Sequence, residues 1–76
     1  MIYNIGDVIL TVSDEKILRE KFINKIGIIL EYNDLQKRGT TYKIMLCGMK
    51  QQLKFTNGMA WFEENSIKEV LYKSEK

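Results

Sequence analysis

The stretch Lys25-Ile26-Gly27-Ile28-Ile29-Leu30-Glu31-Tyr32 decides the fold class. Ile26, Ile28, Leu30 and Tyr32 recur at period two, the spacing of one face of a β-strand, and Gly27, Ile29 and Glu31 make the other face. A helix is disfavoured. Gly27 costs about 1 kcal/mol in a helix interior, and three isoleucines within four positions lose rotamer freedom there. Gly27 has no side chain to pack in a strand either, so it marks a bulge, a bend or a close backbone approach. A small barrel is the sheet that needs most such bending.

Outward from this strand the chain reads as further short strands. Gly6-Asp7 is a turn, and Val8–Val12 follows with Val8, Leu10 and Val12 on one face and Ile9 and Thr11 on the other. Ser13 is a helix N-cap candidate with Asp14 and Glu15 in the first turn, so 14–23 reads as one to two helical turns or a long structured loop. Its apolar residues, Ile17, Leu18 and Phe22, suit a lid over an open end of the sheet, with a docking loop as the functional alternative, and Asn24 ends it. Downstream, 33–39 reads as an exposed hairpin loop, and Thr40–Cys47 as a strand with Tyr42, Ile44 and Leu46 toward the core. Gly48 breaks that strand. Gln51–Phe55 reads as a short strand, Thr56-Asn57-Gly58 as a hairpin turn, and Met59–Glu63 as the return strand. Residues 64–66 form a turn, read as 3₁₀, before a last strand, Ile67–Tyr72.

Seventy-six residues make one domain, spanning 1–76. A chain of this size buries only about 60% of its unfolded surface, so its core is marginal and a partner or a second copy is a source of added stability. The net charge of +2 is unevenly spread. From Leu35 to Phe62 there is no acid, yet Lys37, Arg38, Lys43, Lys50 and Lys54 are present. Such a stretch is either a solvated face or an electrostatic footprint for nucleic acid or an acidic protein.

The missing residue types exclude several chemistries. Without histidine there is no Ser-His-Asp or Cys-His catalysis and no His-containing metal site. Cys47 is the only cysteine, which rules out an internal disulfide, and it is read as a buried or half-buried small hydrophobe. No phosphate-binding loop or dinucleotide fingerprint occurs. No enzyme, cofactor, metal site or small-molecule substrate is expected. Nor is a membrane span or signal peptide, which places the chain in the cytoplasm or in a particle assembled there. Glu63-Glu64 would face opposite sides of a strand and so would not act on one bond.

The strand motifs carry a resemblance. Gly6-Asp7-x-Ile9, Gly27-Ile28-Ile29-Leu30, Tyr42-Lys43-Ile44-Met45-Leu46, and Trp61-Phe62-Glu63-Glu64 followed by Ile67 resemble SH3-like small barrels. More closely, they are similar to the short KOW-like barrel proteins of tailed bacteriophages. The resemblance covers nearly the whole chain. It implies an all-β fold: a small SH3-like barrel of five to six short antiparallel strands, with a helical turn or structured loop between the first two. It also implies a small component of a larger assembly, such as a virion. Nucleic-acid-binding KOW modules usually carry a glycine-rich loop between the first two strands; here no glycine occurs from Asp7 to Ile26.

Two functional expectations follow. The first is a non-enzymatic protein-interaction or structural module that docks on a larger assembly or self-associates, using a second apolar set of Ile9, Ile29, Met45, Phe62 and Leu71. The second is a nucleic-acid-binding barrel with a basic, aromatic-containing face. The candidate contact residues are Phe62, Met45, Ile29, Lys43, Lys50 and Lys54. Gly6, Gly27, Gly48, Gly58 and Trp61 are expected to be structural, with Trp61 anchoring the core; Phe62 then faces the other way, where it either covers a second layer such as the lid or is exposed to a partner.

Overall fold

A computed structural model describes residues 3–35, 39–48 and 58–74. Its strands are β1 (Val8–Thr11), β2 (Ile26–Leu35), β3 (Gly39–Leu46), β4 (Met59–Glu63) and β5 (Ile67–Tyr72). They form one antiparallel sheet in the order β4-β3-β2-β1-β5. A long excursion follows β1, β2 to β4 run as a meander, and a 3₁₀ turn over Glu64–Ser66 leads into β5, which returns beside β1. This all-β arrangement is consistent with an SH3-like fold, and among the described residues β4 and β5 remain open edges. The expected strand at 51–55 and most of the turn at 56–58 lie outside the described residues.

The β2–β3 hairpin is longer than expected. Pairing continues to Leu35 opposite Gly39, so 33–35 are strand rather than loop. The Thr40 hydroxyl donates to the Asp34 carboxylate and that of Thr41 to the Asn33 carbonyl, which holds the extension together.

The core rests on Ile9, Leu18, Ile29, Tyr42, Ile44, Leu46, Phe62 and Ile67. On β3 the expected inward face is the observed one. On β1, β2 and β4 it is inverted: Ile9, Ile29 and Phe62 point in, and Val8, Ile26, Ile28 and Trp61 point out. A register shift explains the far half of β2. Ile29 pairs with Ile44 and Glu31 with Lys43, so Leu30 is an extra residue in the ladder. Without it, strict alternation would put Glu31 in the row of buried Ile29, where an unpaired carboxylate is costly. The bulge keeps Glu31 outside. Gly27, three residues earlier, has a different role, the close approach. A Cβ there would lie 2.6 Å from Ile44 Cγ2, 2.8 Å from Leu46 Cδ2 and 2.9 Å from the Met45 carbonyl oxygen.

The excursion after β1 is a structured loop with a single 3₁₀ turn, Glu20–Phe22. An isolated helix of ten residues is marginal, and here tertiary bonds fix the path instead. Asp14, rather than Ser13, supplies the side chain that accepts a backbone N–H, from Lys16 at 2.8 Å. Leu18 is buried, and the Phe22 ring meets Phe62 edge-on with centroids 5.4 Å apart, so the segment does cover the core. Fully buried Thr11 ties it down, donating to the Phe22 carbonyl at 2.6 Å and accepting from the Lys25 N–H at 2.7 Å. Asn24, at φ 54°, closes the segment in a left-handed conformation that asparagine tolerates.

The two chain ends meet at Asp7. Its buried carboxylate accepts the Ser74 N–H at 2.7 Å and the Asn4 N–H at 2.9 Å. Gly6, at φ 95°, lies beneath Ser74, whose Oγ would be 2.9 Å from any Cβ at that position.

Candidate functional site

The inversion of three strands moves an apolar surface to the outside. Cross-strand pairing aligns Tyr72, Val8, Ile28, Met45 and Met59 in one row that crosses all five strands. Leu10 and Ile26 pair beside it on one flank, with Glu69 at the edge, and Glu31, Lys43 and Trp61 line up on the other. Tyr72 is 68% exposed, Trp61 51%, Ile26 45% and Met45 41%, while Val8, Leu10, Ile28 and Met59 are half-buried.

Two hollows indent this face. One, of about 330 Å³, is bounded by Val8, Ile26, Ile28, Met45, Cys47 and Gly48. The other, of about 340 Å³, lies among Lys43, Met59, Ala60 and Trp61. Both are open troughs with mainly apolar walls, the kind of surface that fits a side chain of a docked partner.

The expected contact residues divide. Met45 is on this face and exposed. Phe62, 5% exposed, and Ile29, 1% exposed, are core residues, because β4 and β2 turn their other faces outward. Trp61, expected in the core, takes the outer place instead. Of the second apolar set, Ile9 is also buried, and Leu71 is exposed on β5. Lys43 is present, and its ammonium bonds the Glu31 carboxylate at 3.1 Å, so its charge is already matched. Lys50 and Lys54 lie outside the described residues.

Gly48 and Gly58 adopt positive φ at the two ends of the β3–β4 connection, and Gly58 is buried. Cys47 is a free thiol on the exposed rim of the first trough, not a buried hydrophobe, because it follows the last inward residue of β3. Glu63 and Glu64 diverge: Glu63 is exposed, and Glu64 accepts the Tyr42 hydroxyl at 3.3 Å. Tyr3 packs edge-on against Tyr42, and burial, then the Glu64 carboxylate, raises its pKa above the usual tyrosine value. Among the described residues no three His, Cys, Asp or Glu side chains gather as metal ligands, and no helix is long and apolar enough to cross a membrane.

A signal for the outer face was present in the sequence. Glu63 shares strand parity with Trp61, and a charged residue at the end of β4 points to solvent, taking Trp61 with it. No family model matches the chain, and no curated protein or solved structure matches it.

Proposed function

We propose that the chain is a non-catalytic SH3-like module that docks on a protein through the outer face of its sheet. The observation that carries this reading is the apolar row flanked by Ile26 and Trp61, in which Met45 and Tyr72 are exposed and Val8, Ile28 and Met59 half-buried. Of the eight large hydrophobic side chains exposed among the described residues, four, Ile26, Met45, Trp61 and Tyr72, lie on this face. Scattered exposed residues are ordinary, but a contiguous apolar face on a small domain is characteristic of an interaction surface. Trp61 and Tyr72 are also the residue types that dominate interface energetics. The strand motifs shared with short phage barrels support a role as a small component docked on a larger assembly.

Panning a random peptide library against the immobilised whole chain tests this. Enriched peptides should lose most of their binding to Met45→Glu and Trp61→Ala variants that keep the native circular dichroism. Binding indifferent to both substitutions would refute the outer face as the docking surface, and no enrichment would refute docking on a foreign protein.

A nucleic-acid reading takes its support from exposed Trp61 beside Lys43, since an aromatic with a nearby cation is a stacking platform for a base. It ranks second because Glu31 already neutralises Lys43. Binding that falls steeply with salt and is lost in Trp61→Ala would raise it to first place.

A further inference from the structure

We infer that the occupant of the outer face is a second copy of this chain, related to the first by a two-fold axis. The inference rests on the docking reading above and names its partner.

The area is adequate. A large apolar side chain fully exposed presents on the order of 200 Å². At their observed exposures, Ile26, Met45, Trp61 and Tyr72 together present roughly 400 Å² on this scale. A standard interface takes about 800 Å² from each partner, a little over half of it apolar. These four residues, with half-buried Val8, Leu10, Ile28 and Met59 behind them, therefore come close to one side of such an interface.

The shape is self-complementary. A two-fold interface sets one patch against itself, so a single patch must carry both projection and recess. This face has both. Trp61 and Tyr72 project, and the trough beside Ile26 and Met45, at about 330 Å³, is roomy enough for an aromatic side chain. Each copy thus offers a ring to the other's trough.

The face carries little charge. A patch of one sign repels its own copy. Here Glu31 and Lys43 form a neutral pair on one flank, and the other carries one acid, Glu69, at the β5 edge. The side chains between the two flanks are apolar, and they are the part that gains from self-association.

Sedimentation equilibrium of the whole chain, from about 1 μM to about 500 μM, tests the inference over the range in which modest interfaces dissociate. The expected result is a mass that rises from 9.0 kDa toward twice that value, with a concentration-dependent blue shift of Trp61 fluorescence. Met45→Glu and Ile26→Lys alter exposed side chains and should leave the circular dichroism unchanged while weakening association at least about tenfold. Two variants guard against one that fails to fold. A wild-type mass of 9.0 kDa throughout would overturn the inference. So would a dimer that neither variant weakens, since association would then use another surface, such as the β5 edge. If the wild type is monomeric but selected peptides still need Met45, the self-pairing fails and the docking reading stands. If it dimerises through this face and no peptide is enriched, self-pairing survives and a foreign protein partner is excluded.

Discussion

Replacing Thr11 by valine should cost a large part of this protein's stability although the side-chain shape hardly changes. Thr11 is fully buried on β1, and its hydroxyl serves two backbone groups of the excursion, the Phe22 carbonyl and the Lys25 N–H. Valine leaves both without that partner. Each unpaired buried polar group costs about 1–3 kcal/mol. The added methyl returns about 0.8 kcal/mol at most. The net loss is about 1–5 kcal/mol. A domain of 76 residues holds on the order of 4–11 kcal/mol in total, so the loss is a large share of it. At about 4–8 °C per kcal/mol for a domain this small, the thermal midpoint should fall by roughly 5–40 °C. Far-UV circular dichroism on heating measures it, and amide exchange at Lys25 should accelerate. Thr11→Ser is the control. It keeps the hydroxyl and loses one methyl, for about 1 kcal/mol. If the valine variant matches the wild type, or if serine costs more than valine, the hydroxyl is not what holds the excursion to the sheet.

Three further predictions test other parts of the structure. Phe62→Ala should cost about 3–5 kcal/mol, as for a core phenylalanine, whereas Trp61→Ala should cost about 1 kcal/mol or less, measured by urea titration; the reverse order would mean β4 faces the other way. Gly27→Ala should destabilise by about 1–2 kcal/mol. Overpacking against Ile44, Leu46 and the Met45 carbonyl outweighs the gain of about 0.4–1 kcal/mol from a less flexible unfolded chain, and a stabilised variant would show that β3 can yield. Tyr3 binds its proton more tightly in the fold than in the unfolded chain. Its contribution is therefore fully present below the ordinary tyrosine range, near pH 10, and is lost as pH rises through the raised folded value. Stability should fall with pH in that window, and Tyr3→Phe should flatten the slope; an unchanged slope would assign it to other groups.

The sequence reading was reliable where the pattern had only one solution. On β3, Lys43 and Cys47 share parity with Met45, so Tyr42, Ile44 and Leu46 had to point inward, and they do. The bounds of β4 and β5 and the 3₁₀ turn over Glu64–Ser66 follow from the same kind of punctuation. The reading inverted three strands whose two faces are both apolar. On β1, Thr11 shares its face with Ile9; its hydroxyl is satisfied by two backbone groups and the residue is buried. On β2, Glu31 argued the same for Ile29, and the extra residue Leu30 separated the two. On β4, the size of Trp61 suggested an anchor, but the register with β3 assigns that place to Phe62 opposite Tyr42. The candidate site moved with these strands: Phe62 and Ile29 left it, Met45 stayed, and Ile26, Tyr72 and Trp61 joined it.

Local residues by themselves determined that this chain is all-β and, the 33–35 extension of β2 aside, where its described strands fall. These properties depend on backbone preference and on alternation, which act over a few positions. Which face of β1 and β2 is buried was decided only in the tertiary structure. When both faces of a strand are apolar, alternation is degenerate, and the choice passes to hydrogen bonds that join distant positions. The Thr11 bonds to Phe22 and Lys25, the Ile29–Ile44 register and the bulge at Leu30 settle it: the buried hydroxyl is paired and the Glu31 carboxylate stays outside.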